Sequence, residues 1–311
     1  MRTNNKLSVV INTKNCGQTL LKTLICVKDL ADEIIIVDMH SQDETLKIAN
    51  RFTKKIYQFD DCGYADPARN FAISKANFDW IFIIDSDETI PENLKKEIKN
   101  IINNNTLGKL KGDCYFIARK NFIFGQAIKF TNWYPDYQIR LFRKNSLVWQ
   151  DQVHSLPKIF GKVIYLPAEE HLSIIHQNYQ TIENFWERSN NYTTFQVQNN
   201  QKAKKNEEIS ATKIFNTFFD EFFDRYFYHQ GYRDNLHGLS LSFLQSAVHL
   251  SALLKNWQKQ DFKSYVVGKK ETLANFRRLK KTLNYWLADY QIKNNSGLSK
   301  IYWQFRRKIK V

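Results

Sequence analysis

Over the first hundred positions apolar residues arrive in short unbroken runs, and between the runs they recur every three or four residues. Besides Lys54–Phe59, a strand candidate broken by polar residues, Leu7–Thr13, Glu33–Met39 and Trp80–Asp85 are such runs. They are too short for helices and rich in branched side chains, so each predicts a strand buried on both faces. The segments between them predict helices over Thr19–Leu30, Ser41–Phe52, Asp66–Lys75 and Glu92–Asn103. Ser41 reads as a cap for the second helix, and Pro67 suits the first turn of the third. Strands alternating with helices argue for a mainly parallel α/β sheet.

Beyond Asp113 the pattern shortens. Tyr115–Arg119, Gln138–Phe142, Lys162–Leu166 and Ser173–His176 read as strands, and Thr181 to about Gln198 as a helix. A polar stretch, QNNQKAKKNEE over 198–208, precedes a C-terminal part that is helical throughout. The expected organisation is a catalytic domain over 1–200, with halves of about 1–110 and 111–200, and a basic helical extension over 201–311. Phe215, Phe218, Phe219, Phe222, Phe223, Tyr226 and Phe227 form an aromatic stripe at helical spacing in that extension.

Of the 311 residues 43% are hydrophobic and 25% charged, which permits a packed core and argues against global disorder. The net charge of +15 favours polyanionic partners: nucleic acid, anionic lipid or phosphorylated small molecules. Cys16, Cys26, Cys62 and Cys114 are scattered, with no zinc or disulfide spacing, which suits a reducing cytosol. The run Leu7 to Ile11 is too short for a signal peptide, and no apolar stretch reaches about 18 residues, so membrane contact is expected to be peripheral.

In open α/β sheets ligands bind beyond the carboxyl ends of the strands. Polar residues gather there: Thr13 and Asn15, then Asp38, then Asp60 and Asp61, then Asp85 to Glu88. Asp85-Ser86-Asp87 follows its strand directly. In extended chain the two carboxylates point the same way, and a hard divalent cation, Mn2+ or Mg2+, relieves their repulsion while accepting phosphate oxygens. There is no dinucleotide fingerprint and no P-loop, so phosphate charge must be met by metal and side chains. Arg69 suits that task, since a guanidinium grips phosphate oxygens in pairs.

The chain resembles the family 2 glycosyltransferases of the GT-A type, in the branch similar to lipopolysaccharide-core glucosyltransferases. The resemblance rests on LSVVINTKN, EIIIVDMHSQDET and ADPARNFAISKANFDWIFIIDSDE, then NWYPDYQIRLFRK, Val153-His154, SIIHQNYQTIENFWERSNNYT and GYRDNLHGL. It implies a Rossmann-like mixed sheet with a C-terminal helical extension. It implies that Thr13, Asn15 and Asp38 line the nucleoside pocket and that Arg69 meets the pyrophosphate. Asp85 would face donor and metal, Asp87 would be the more direct metal ligand, and His154 or His176 would complete the ion's shell. Trp133, Tyr134, Asp136, Gln138 and Arg140 would face the acceptor.

One departure bears on the chemistry. Many members of that branch carry Glu after the Val-His pair, and this chain has Ser155. Inversion at the anomeric carbon needs a carboxylate base; Asp136, Asp151 and Glu170 are the candidates, Asp136 first. The expected enzyme moves a hexose, UDP-linked, to a lipid-linked or cell-envelope glycan on the cytoplasmic face of the membrane. The terminal KIYWQFRRKIKV mixes aromatic and basic residues as an anchor on anionic lipid does, while the Phe stripe is expected to pack on the catalytic domain or on a second subunit of a homodimer. No nucleic-acid-binding module is present, so no specific nucleic-acid partner is expected. A nucleotidyltransferase of similar fold and an inactive glycosyltransferase-like scaffold are the alternatives.

Overall fold

The computed structural model describes residues 5–60, 66–103, 112–149, 157–202 and 209–309. Asp61, Cys62, Asp151, Val153, His154, Ser155, Lys310 and the core of the polar stretch, 203–208, lie outside the described residues. The chain falls into two compact units, one of 1–127 with 133–180 and one of 128–132 with 181–311.

The first unit is a mixed sheet with helices. In chain order it holds β1 (Leu7–Thr13), α1 (Gly17–Val27), β2 (Glu33–Asp38), α2 (Thr45–Ala49), β3 (Ile56–Gln58), α3 (Asp66–Ser74), β4 (Trp80–Ile83), β5 (Glu88–Thr89) and α4 (Glu92–Ile102). Then come β6 (Cys114–Ile123), β7 (Gln126–Ala127), β8 (Asp136–Arg143), β9 (Leu147–Val148), β10 (Lys158–Ile159), β11 (Val163–Tyr165), a short 3-10 turn over Glu170–Leu172, and β12 (Ile174–Gln177). The main path of the sheet runs β3-β2-β1-β4-β8-β6-β12-β5, with β7 and β11 also pairing with β6. The first four strands are parallel and β8 enters antiparallel, so the sheet is mixed.

The four N-terminal runs are strands as the pattern predicts, and β1, β2 and β4 are buried along nearly their whole length. Helices on both faces account for this. One face buries Leu20, Leu24, Leu94 and Ile98 against Val9, Ile36 and Phe82; the other buries Ala68 and Ala72 against Val10, Ile35 and Ile83. The small alanines let α3 lie close to the sheet.

One expectation fails. Ser41 does not cap a long helix; α2 starts at Thr45, where the Asp43 carboxylate accepts the Thr45 N–H at 3.0 Å. The Ser41 hydroxyl is committed instead to Asp38.

The order β3-β2-β1-β4 places a topological switch between β1 and β4. Chains leave β1 toward one side and return to β4 on the other, which opens a crevice beyond the carboxyl ends of those strands. Thr13 and Asp85 stand at that crevice.

The second unit is helical: α5 (Ile182–Lys202), α6 (Ala211–Phe223), a π turn over Asp224–Tyr228, a 3-10 turn over Gly231–Asp234, α7 (Asn235–Gln258), α8 (Lys269–Asn294) and α9 (Gly297–Ile309). The Phe stripe packs internally. Phe222 meets Phe243 of α7 at 4.5 Å between centroids, and Phe215 meets Phe276 of α8 at 5.2 Å. The GYRDNLHGL segment is a close-packing device. A Cβ on Gly238 would fall 1.8 Å from the Gly231 carbonyl oxygen. Asp234 is buried and accepts backbone N–H groups from Lys129 and Phe130 at 3.1 and 2.7 Å. Among the described residues no helix is long and apolar enough to cross a membrane.

Candidate active site

Asp85-Ser86-Asp87 does not continue the strand. It turns, with the Glu88 N–H donating to the Asp85 carbonyl at 3.1 Å. The two aspartates therefore do not point together as extended chain would have them, and each carboxylate has its own partners.

Asp85 is held by arginines. Arg140 donates to it at 2.5 Å and Arg69 at 3.4 Å, with Arg119 at 4.0 Å. Glu88, fully buried, accepts from Arg140 at 2.6 Å and Arg119 at 3.3 Å, and from the Asp85 backbone N–H at 3.0 Å. Burial by itself would raise the Asp85 carboxyl, but the charges of Arg140 and Arg69 outweigh it and hold Asp85 well below the usual carboxylate range. Burial works against the Arg140 charge, and Asp85 and Glu88 reverse that and raise it further.

Asp87 faces a histidine. Its carboxylate lies 3.4 Å from His176 Nε2, and the His176 Nδ1 lies 2.7 Å from the Asn121 side-chain oxygen. The Asn121 amide nitrogen donates to the Trp133 carbonyl at 3.0 Å and to Asp136 at 3.2 Å, which fixes the amide's direction. Its oxygen is thus an acceptor, so His176 carries a proton on Nδ1 and turns Nε2 toward Asp87. Asp87 also borders a polar cavity of about 270 Å³ with Gln18, Thr19, Lys22, Thr89, Gln177 and Gln180.

Asp136 opens β8. Arg119 donates to it from two nitrogens, at 2.6 and 2.8 Å, and Gln138 donates at 2.8 Å. Burial would raise this carboxyl; the Arg119 charge and the Gln138 and Asn121 hydrogen bonds lower it overall.

The other sequence candidates fall as follows. Thr13 donates to Asp38 at 2.8 Å, and Asp38, fully buried, takes two more bonds from Ser41. Its carboxylate braces the β1 and β2 ends and faces into the protein. Asn15 is exposed, has a positive φ, and bridges to the Ser41 side chain and the Gln42 N–H. Arg69 lies partly exposed over the Trp149 ring. Arg140, expected at the acceptor, is only 2% exposed and lies beneath the site, because two acids draw its guanidinium inward. Trp133 stacks edge-on with Tyr179, and its buried indole N–H has no partner. The Tyr134 hydroxyl donates to the Ala168 carbonyl. Glu170 pairs with Lys120, which alternates with Arg119 and Asn121 along β6 and so points to the opposite face of the sheet. Asp151 and His154 lie outside the described residues.

The sequence pattern places Glu88 at the strand end without a role of its own, and it does not single out Arg119 or Asn121. The signal was present: in CYFIARKNFI, Arg119 and Asn121 share one strand face, and polar groups on one face of a buried strand need partners.

A divalent cation fits Asp87 and His176. Among the described residues no three His, Cys, Asp or Glu side chains converge on one point. A carboxylate oxygen and an imidazole nitrogen 3.4 Å apart could serve as two ligands of one ion, which would need phosphate oxygens and water to complete its shell.

Residues 8–156 match the model of Glycosyl transferase family 2, and that segment is a family 2 glycosyltransferase domain. An uncharacterized glycosyltransferase of Rickettsia felis is 36% identical over 96 residues, 31% of this chain and 34% of the relative. The poly(ribitol-phosphate) beta-N-acetylglucosaminyltransferase TarP of Staphylococcus aureus is 30% identical over 106 residues, 30% of this chain and 32% of TarP. These matches span about a third of the relatives' own length. The crystal structure of S. aureus TarS 1–349 with UDP covers 85% of this chain and 94% of its own, at 14% identity and a TM-score of 0.43.

Proposed function

We propose that the chain is an inverting, metal-dependent glycosyltransferase that moves a hexose from a UDP-linked donor to a lipid-linked or cell-envelope glycan at the cytoplasmic face of a membrane. The observation that carries the reading is the Asp87–His176 pair, whose aspartate borders the polar cavity, with His176 held by Asn121 so that Nε2 is turned toward Asp87. The TarP relative, by its name, transfers N-acetylglucosamine, which supports a hexose-type donor.

Asp87 and His176 would hold the Mn2+ or Mg2+ ion, which when bound neutralises charge on the leaving diphosphate. Arg69 supplies a partly exposed guanidinium at the same strand end for the diphosphate oxygens. Asp136 stays ionised at neutral pH because Arg119 holds it so. It takes the acceptor hydroxyl's proton as that oxygen bonds to the anomeric carbon and the bond from that carbon to the diphosphate oxygen breaks. Attack from the face opposite the leaving group inverts the centre. Arg140 and Glu88 keep the platform rigid, so the acceleration comes from positioning and preset charge. Thr13, Asn15 and Asp38 shape the nucleoside end, Asp38 through the loop it braces. Trp133, half-buried, offers part of its ring to the acceptor sugar.

The test is a thermal-shift and hydrolysis screen of UDP-, GDP- and TDP-sugars with Mn2+ or Mg2+. Stabilisation by a UDP-sugar only when metal is present, about 2.7 kcal/mol at a hundredfold excess over Kd, is the expected result, and Asp87→Ala removes it. Equal stabilisation with and without metal would defeat the reading.

A further inference from the structure

α9 faces the wrong way for a helix of a water-surrounded bundle. Its contacts with α8 are made from one side, where Arg307 donates to Asp289 at 2.6 Å and lies over the Tyr285 ring. Trp303, one turn back, is half-buried on that side. At 100° per residue Leu298, Ile301, Tyr302 and Phe305 fall together on the opposite side, in an arc of about 100°. They are 85%, 60%, 54% and 64% exposed. An amphipathic helix ordinarily buries that face against its own protein.

The surroundings of the exposed face are basic. Lys308 and Arg306 border it on either edge. Residues 259–309 contain thirteen lysines and arginines against three acids, so this stretch holds +10 of the chain's +15. A second copy of the chain would bring a like charge against it and be repelled.

We propose that α9 lies in the plane of an anionic bilayer, with Leu298, Ile301, Tyr302 and Phe305 sunk into the acyl boundary and Lys308 and Arg306 at the level of the headgroup phosphates. An apolar stripe edged by cations is what such a surface binds. The docking deepens the reading of a membrane-borne acceptor, yet its test needs no catalysis.

The full chain is sedimented with phosphatidylcholine vesicles and with vesicles carrying about 30% phosphatidylglycerol, at about 0.1 M and 0.5 M salt. Binding to the anionic vesicles, weakened by salt, is expected. The combined variant L298S/I301S/F305S, altered only at exposed positions, should lower partition by about tenfold or more with unchanged helical circular dichroism, and Lys308→Glu should steepen the loss. Wild-type sedimentation of the triple variant overturns the proposal. So does a wild-type dimer by analytical ultracentrifugation that the triple variant abolishes while neither binds vesicles. If the vesicle result fails but UDP-sugar stabilisation persists, the membrane inference falls and the catalytic reading stands.

Discussion

Asn121 is fully buried and satisfied on both ends of its amide. The oxygen meets His176 and Asn178, and the nitrogen meets Trp133 and Asp136. One side chain thus sets the tautomer of the proposed ion ligand and the orientation of the proposed base. Asn121→Leu removes both effects. Asn121→Asp keeps an acceptor for His176 but sets a carboxylate against Asp136. Nitrogen NMR of the metal-free protein should show His176 protonated on Nδ1 in the wild type and in Asn121→Asp, and a mixture of tautomers in Asn121→Leu. Mn2+ affinity measured by titration should fall about 10- to 100-fold in the leucine variant. A wild-type histidine protonated on Nε2 instead would contradict the arrangement. Asp87, and His176 beside His154, stand out as candidates in the sequence from the strand pattern and the resemblance alone. The role of Asn121 was not legible, because it depends on β6 lying beside β8 and β12, a pairing between segments 15 and 55 residues away in sequence.

At the scale of elements, strand positions followed from apolar runs because β1, β2 and β4 are covered on both faces. The caps did not follow. Ser41 looked like a helix start, but Asp38, buried at a strand end, needs donors more than the helix needs a cap. The same logic explains GYRDNLHGL. Its pattern drew notice as a distal motif, and its residues serve packing: Gly231 and Gly238 let the 3-10 turn and α7 touch, and Asp234 ties down residues 128–132. Gly238→Ala forces a methyl into the Gly231 backbone, which is not free to give way. The variant should lose about 1–3 kcal/mol in urea unfolding. A loss below a few tenths would show that the turn yields.

Across the whole molecule, charge and acidity pull against each other. Asp85 and Asp136 sit below the ordinary carboxylate range in the folded chain. Their contribution to stability is complete above the unfolded value near 4 and is lost as pH falls through the folded values. Asp234 runs the other way: burial raises it, so its contribution is present at low pH and lost as pH rises through its folded value. Six carboxyls depressed against one raised among the described residues, on a chain already at +15, predict a thermal midpoint that is level from pH 7 to about 5 and drops below about 4. Melts followed by circular dichroism check this, and a midpoint unchanged at pH 3 would count against the arginine clamp.

The three guanidinium groups around Asp85 have one more consequence. A carboxylate already balanced by arginine does not wait for an ion to settle its shape. The platform would therefore stand ready in chelator as in magnesium, and a cation held at Asp87 and His176 would be a passenger that arrives and leaves with the proposed diphosphate rather than a rivet in the protein.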